Sequence, residues 1–140
     1  MIIEISEGIA SLLIVEDEGL VSMMIEDIVR QMGVKDVHIC GDLDTAHQTA
    51  SSAAIDCAVL DVRMRGGTTE AIADLLATRG VPFMYSTGGT PDSIPAQHRH
   101  RPMITKPFAE DDFKTMLLDT YLGGADPCHS ERVATQGLTN

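Results

Sequence analysis

Basic residues are scarce in this sequence, and their scarcity limits the partners that the protein can have. Ten lysines and arginines stand against 21 aspartates and glutamates, which gives a formal net charge of −11. A surface this negative repels phosphate backbones and anionic membranes. We therefore expect the protein to bind neither nucleic acid nor a membrane surface.

Long hydrophobic runs are absent as well. The longest nearly apolar stretch, Ile9–Val15, is far shorter than the roughly 20 residues that a membrane-spanning helix needs. The first eight residues, MIIEISEG, carry acids where a secretory signal peptide needs bases. We expect one small cytoplasmic domain, because 140 residues leave no room for a second domain that would act as an output.

Cysteine is also rare, and its three copies follow no motif. Cys40 and Cys57 lie in strand-like runs, and Cys128 lies in a polar stretch. An odd number without a CxxC spacing argues against both a disulfide framework and a zinc site. We expect two buried thiols and one exposed thiol, none of them paired.

The feature that the sequence has in abundance is an alternation of strand and helix patterns. Continuous apolar runs predict strands buried on both faces, and apolar residues at helical spacing predict amphipathic helices between them. We predict strands at 11–16, 36–40, 56–61, 81–87 and 101–105. We predict helices at 18–32, 43–53 and 109–122, and a further helix that Thr68 or Thr69 caps and that runs through about Thr78.

This alternation indicates an α/β fold, a doubly wound parallel sheet of five strands with helices on both faces. We divide the chain into a lead-in at 1–9, one domain at 10–122 and a polar, unpatterned tail at 123–140. On the first helix, the spacing predicts a core stripe of Leu20, Met24, Ile28 and Met32, with Val21 and Ile25 beside it.

One connection breaks the pattern. The stretch 88–101, GGTPDSIPAQHRHR, lies between the fourth and fifth strands. Pro95 follows four residues after Pro91, where it lacks a hydrogen-bond donor and clashes with the preceding turn. We predict a single turn or irregular backbone there, and we interpret the basic residues 98–101 as a solvated loop or a contact patch for a partner.

The polar residues that follow the strands carry the chemistry. Glu16 and Asp17 follow the first strand, Asp61 the third, Thr87 ends the fourth, and Lys106 follows the fifth. Sites in open parallel sheets form at these carboxyl ends. Crowded carboxylates favour a hard divalent cation such as Mg²⁺. A metal, an ammonium and a hydroxyl around one carboxylate can neutralise a phosphoryl group on it, and Asp61 is the best placed nucleophile.

Four segments taken together resemble the receiver domain of two-component response regulators. They are LLIVEDE at 12–18, VLDVRM at 59–64, VPFMYSTGG at 81–89 and ITKPF at 104–108. The resemblance covers about 10–122 and implies a flavodoxin-like sheet with the strand order 2-1-3-4-5.

The resemblance also implies a role for each residue at the strand ends. Asp61 matches the phosphoacceptor, Thr87 the switch hydroxyl, and Lys106 the lysine that pairs with the phosphoryl group. Glu16 and Asp17 match the acidic pair that holds Mg²⁺ together with Asp61 and the backbone carbonyl of Arg63. Pro107 matches a position where the family commonly has a cis peptide bond.

The resemblance can be narrowed. The stretch 85–90, Tyr-Ser-Thr-Gly-Gly-Thr, resembles the Phe-Ala-Thr-Gly-x-Tyr motif of single-domain regulators from alphaproteobacteria. Two residues depart from the general receiver pattern.

Met103 occupies the position at which many receivers have an aromatic residue that rotates on phosphorylation. Pro95 weakens the helix between the fourth and fifth strands that many receivers use to dimerise. We therefore expect a monomer or a weak dimer, with phosphorylation ordering residues 88–101.

The function implied is that of a stand-alone response regulator. Asp61 would accept a phosphoryl group from a sensor histidine kinase or a histidine phosphotransfer protein. The output would be contact with a downstream protein, or the chain would act as a phosphate sink. The receiver would support only its own phosphorylation and dephosphorylation, so we expect no enzyme with a separate substrate.

Two other interpretations remain open. The first is an interaction module that works without phosphorylation, although such a module has little need for all five strand-end residues. The second is an aspartyl-phosphate phosphatase of the haloacid dehalogenase type. Such phosphatases need a second aspartate two residues after the nucleophile, where this sequence has Arg63.

Overall fold

A computed structural model describes residues 8–123 of the chain. Five strands form one parallel sheet, in which they are arranged 2-1-3-4-5 when numbered along the chain. The predicted α/β fold and its strand order are confirmed. Most of the predicted lead-in and nearly all of the predicted tail lie outside the described residues. The five strands are β1 (Ser11–Val15), β2 (Asp36–Cys40), β3 (Cys57–Leu60), β4 (Phe83–Thr87) and β5 (Met103–Thr105).

Four helices cover the two faces of the sheet: α1 (Gly19–Gln31), α2 (Leu43–Ser52), α3 (Glu70–Thr78) and α4 (Glu110–Gly123). Successive strand side chains point to opposite faces, so neighbouring residues of β1 enter different cores. Leu12 packs in the cluster that contains residues of α1 and α4, whereas Leu13 packs in the cluster that contains residues of α2 and α3. The two cores explain why β1, β3 and β4 are buried throughout.

Local signals in the sequence set the helix ends. The Asp42 carboxylate accepts a hydrogen bond from the Thr45 backbone N–H at 2.7 Å and so caps α2. Gly33 has a φ of 104°, which only glycine adopts at low cost, and the chain leaves α1 there. Among residues 8–123, no helix is both long enough and apolar enough to cross a membrane.

The predicted core stripe of α1 was wrong at two positions. Leu20 is 85% exposed and Met24 is 40% exposed, whereas Ile28 and Met32 are buried as expected. Ile25, which the spacing placed beside the stripe, is fully buried with Val29, and both pack in one cluster with Ile28 and Met32. Leu20 and Met24 belong to the first turns of α1, beside the carboxyl edge of the sheet.

The connection between β4 and β5 is irregular, as Pro95 predicted. Short 3₁₀ turns at Pro91–Ser93 and Ala96–His98 replace a helix. The interpretation of the basic residues as a solvated loop or contact patch was wrong for His98, which is only 3% exposed. Its Nε2 lies 2.6 Å from Asp74 Oδ1 on α3. The sequence alone could not show that Asp74 is the hydrogen-bond partner of His98, because the two residues are 24 positions apart.

Cys40 and Cys57 are both buried and unpaired, as expected. They lie on β2 and β3, which flank β1 on opposite sides, so a disulfide between them would have to cross a strand. Burial raises the pKa of the Cys57 thiol to about 12, which keeps it protonated and unreactive. Cys128 lies outside the described residues.

Candidate functional site at the carboxyl edge of the sheet

The sheet positions the site through backbone hydrogen bonds that continue one residue past the strands. The Asp61 N–H donates to the Val15 carbonyl at 2.9 Å, and the Lys106 N–H donates to the Thr87 carbonyl at 2.9 Å. Asp61 and Lys106 are therefore fixed beside β1 and β4. Glu16 follows β1 directly and completes the edge.

Three carboxylates meet at this edge. One oxygen from each of Glu16, Asp17 and Asp61 lies within 4.8 Å of the other two. Glu16 is 3% exposed and Asp61 is 9% exposed, so water compensates their charges poorly. An all-oxygen set of this kind suits a hard divalent cation, and the residues therefore fit a metal such as Mg²⁺.

Lys106 places a largely buried ammonium among these acids. Its Nζ lies 2.9 Å from Glu16 Oε1, 3.1 Å from Asp61 Oδ2 and 3.8 Å from Glu18 Oε1. Burial raises the pKa of Glu16, and the hydrogen bond from Lys106 opposes this rise. Burial alone would lower the pKa of Lys106, but its bonds to Glu16 and Asp61 raise it. The exposed Arg65 side chain adds a second cation, with its Nε 3.8 Å from Asp17 Oδ2. Two cations stand against four acids, so the site is net negative.

Backbone N–H groups hold the remaining carboxylate oxygens. The Val62 N–H donates to Asp61 Oδ1 at 2.8 Å, and the Arg65 N–H donates to Asp17 Oδ2 at 2.9 Å. The second oxygen of Asp61 is the one that faces Lys106. Asp61 thus presents one oxygen bound by its own backbone and one oxygen turned toward a cation.

Thr87 ends β4 at the same edge of the sheet, and Arg63 lines the cleft with Asp17 and Asp61, but neither side chain bonds to the three acids. The Thr87 hydroxyl is buried and accepts a hydrogen bond from the Gly89 N–H at 3.1 Å. Arg63 pairs through its backbone with Thr68 in a two-residue antiparallel ladder. Its side chain is exposed, and it makes no ion pair with the residues that the structure describes.

A cleft of about 660 Å³ opens above the acids. Its floor is polar, with Asp17, Asp61 and Lys106, and Gly88 and Arg63 border it. Its walls are largely apolar, formed by Leu20, Val21, Met24, Pro107 and Phe108. The bond between Lys106 and Pro107 is cis, as the resemblance implied.

Sequence reasoning missed Thr69. This residue was a candidate helix cap, but its side chain caps nothing. Its hydroxyl instead donates to the backbone carbonyl of Asp61 at 2.6 Å. The signal that could have found it is a hydroxyl residue shortly after the glycine pair 66–67, because that pair lets the chain fold back toward Asp61.

Comparison with solved structures identifies the family. The solution structure of SdrG from Sphingomonas melonis Fr1 is 36% identical, with a TM-score of 0.73 over 82% of this chain and 98% of that one. The Erythrobacter litoralis PhyR response regulator REC domain is 27% identical, with a TM-score of 0.73 over 87% and 97%. The chain belongs to the response regulator receiver family. Receiver domains are signalling modules, and this one has their five-stranded fold.

A third receiver shares the fold at lower identity. The receiver domain of sensor histidine kinase PA1611 from Pseudomonas aeruginosa PAO1 is 20% identical, with a TM-score of 0.66 over 80% of this chain and 97% of that one. That structure holds a magnesium ion in its active-site cleft. No family model matches the present receiver, and no curated protein sequence matches it.

Proposed function

We propose that this receiver accepts a phosphoryl group on Asp61 from a phosphohistidine of a sensor kinase or a histidine phosphotransfer protein. The observation that carries the proposal is that Asp61 lines the cleft and that its Oδ2 lies 3.1 Å from Lys106 Nζ. The other oxygen is held by the Val62 N–H, so Oδ2 is the oxygen left to react. This arrangement suits nucleophilic attack by a carboxylate.

The phosphoryl transfer needs no reactant other than the Asp61 carboxylate and the phosphohistidine. An oxygen of Asp61 forms a bond to phosphorus while the bond between phosphorus and the donor imidazole nitrogen breaks, and the imidazole keeps the electron pair. Lys106 offers its ammonium to the phosphoryl oxygens and to the carboxylate that loses its charge. Glu16, Asp17, Asp61 and the Arg63 carbonyl would hold Mg²⁺, which supplies positive charge to the phosphoryl oxygens.

Thr87 is the residue that would report the modification. Its hydroxyl would donate to the phosphoryl group, and movement toward that group would strain its bond with the Gly89 N–H. Gly89 begins the connection that ends in β5, so this bond links the phosphoryl site to residues 88–101. The phosphorylated regulator, which we place in the cytoplasm, would then bind a downstream protein. Alternatively, it would act as a phosphate sink that takes phosphoryl groups from the kinase onto Asp61.

Incubation with acetyl phosphate and Mg²⁺ tests the proposal. Intact-mass spectrometry should show one added phosphoryl group on the wild-type protein and none on Asp61→Asn. A histidine-phosphorylated phosphotransfer protein serves as a second donor, because some receivers refuse small phosphodonors. If neither donor adds mass, the proposal is wrong and the phosphorylation-independent interaction module is favoured.

A further inference from the structure

Thr69 is a buried threonine whose hydroxyl serves the loop after β3 rather than its own helix. The residue is 1% exposed and stands at the start of α3, where a threonine hydroxyl normally caps the helix. Its Oγ1 instead donates to the carbonyl oxygen of Asp61 at 2.6 Å. Its backbone N–H donates to the carbonyl of Val62 at 3.0 Å. One residue thus holds two consecutive carbonyls of the loop that begins at Asp61.

The peptide unit held by the Thr69 hydroxyl is the one that orients the Asp61 carboxylate. That unit consists of the Asp61 carbonyl and the Val62 N–H, and the N–H donates to Asp61 Oδ1 at 2.8 Å. A peptide unit is planar, so a bond that fixes the direction of its carbonyl also fixes the direction of its N–H. The Thr69 hydroxyl therefore acts on a carboxylate oxygen that it does not touch.

We propose that Thr69 is a positioning residue for phosphoryl transfer to Asp61. Its hydroxyl locks the peptide after Asp61, the Val62 N–H locks Oδ1, and Oδ2 is thereby held toward Lys106 and the cleft. The inference rests on the function proposed above. Without the hydroxyl, the Asp61 carbonyl is buried without its donor, and the peptide gains freedom to rotate. A carboxylate that is less well aimed attacks more slowly.

Thr69→Val tests the proposal because it removes the hydroxyl and keeps the shape of the side chain. We expect phosphorylation by acetyl phosphate to slow by about tenfold, as for a misaligned nucleophile. Thr69→Ser keeps the hydroxyl and should stay within about threefold of the wild type. The readout beyond activity is the Val62 amide proton in NMR spectra: its resonance should move upfield in Thr69→Val and remain in place in Thr69→Ser.

Thr120→Val is the matched control. Thr120 is 2% exposed and donates its hydroxyl to the Met116 carbonyl at 2.7 Å, on α4 and outside the cleft. The same chemical change there should lower the melting temperature without changing the phosphorylation rate or the Val62 resonance. If Thr69 had only a structural role, Thr69→Val would likewise lower the melting temperature and leave the phosphorylation rate and the Val62 resonance unchanged.

The outcomes separate this proposal from the function on which it rests. A normal wild-type rate with Thr69→Val within twofold of Thr120→Val, or with an unmoved Val62 resonance, overturns the positioning role alone. A wild-type protein that no donor phosphorylates overturns the proposed function as well. If Thr69→Val does not fold, the wild type and Thr69→Ser provide the test. A wild-type Val62 amide that exchanges freely with solvent overturns the proposal. A Val62 amide that is protected from exchange, together with a Thr69→Ser phosphorylation rate within threefold of the wild type, supports it.

Discussion

Lys106 shows at the scale of one residue how the site balances its charges. Its ammonium bridges Glu16 and Asp61, the two most buried members of the acidic cluster. A divalent cation placed among the same oxygens would feel both the attraction of the acids and the repulsion of this ammonium. Lys106 therefore lowers the metal affinity that three carboxylates alone would have. We interpret this weakening as compatible with the phosphoryl transfer proposed above, in which Lys106 also faces the phosphoryl group.

Lys106→Met tests this balance. We expect Mg²⁺ to bind about tenfold more tightly to the variant, because one repelling charge in a partly solvated site is removed. Isothermal titration calorimetry at neutral pH measures the dissociation constant. Lys35→Met is the matched control, since Lys35 is exposed and follows α1 just before β2, away from the carboxyl edge. Weaker binding by Lys106→Met would contradict the electrostatic account.

Tertiary contacts of a buried side chain hold the irregular connection between β4 and β5 in place. Its two 3₁₀ turns are only three residues long each, and the buried side chain of His98 ties them to the domain. His98 reaches Asp74 on α3 and lies edge-on to Phe83 of β4, with ring centroids 5.5 Å apart. The Arg101 guanidinium lies over the same Phe83 ring, 4.2 Å from its centre. The pKa of Asp74 is lowered by the hydrogen bond from His98.

His98→Ala should loosen this connection without unfolding the domain. We expect the amides of His98 and Arg101, which donate at 2.8 Å and 3.0 Å within the segment, to exchange about tenfold faster with solvent. The reason is the loss of the contacts with Asp74 and Phe83. Hydrogen exchange followed by NMR provides the measurement.

His100→Ala is the control for that measurement, because His100 belongs to the same segment but is exposed. In His100→Ala, the amides of His98 and Arg101 should exchange at the wild-type rates. Equal rates in all three proteins would show that the buried histidine does not hold the segment in place.

At the scale of the whole molecule, the excess of acids makes stability depend on the ions in solution. A formal net charge of −11 destabilises the folded state through self-repulsion, which any salt screens. A cation bound at the carboxyl edge would add a specific stabilisation on top of this screening, since a ligand of the native state shifts the unfolding equilibrium. The two contributions can be separated by comparing salts at equal ionic strength.

Magnesium chloride should therefore raise the melting temperature more than sodium chloride at the same ionic strength. We expect an extra rise of about 4 °C or more when the metal is well above its dissociation constant. Asp17→Asn should abolish the extra rise, whereas Asp36→Asn should keep it. Asp36 is exposed and begins β2, at the opposite end of the sheet. An equal effect of both salts on the wild type would argue against a specific metal site.

The sequence by itself determined the fold and the meeting of the strand-end residues. Short continuous apolar runs that alternate with helical patterns are typical of buried parallel strands. Parallel strands bring the residues that follow them to one edge, so Glu16, Asp61 and Lys106 were predictable together. Their distances agree with that expectation.

Only the tertiary structure decided the contacts that join distant segments through single hydrogen bonds. Thr69 reaches the Asp61 carbonyl because a glycine-containing loop folds back, and His98 finds Asp74 across two elements. Neither pairing leaves a periodic pattern in the sequence. Packing likewise settled which apolar residues of α1 are covered. Helical spacing alone admits Leu20, Met24 and Ile25 alike, and the structure buries Ile25 but leaves Leu20 and Met24 exposed.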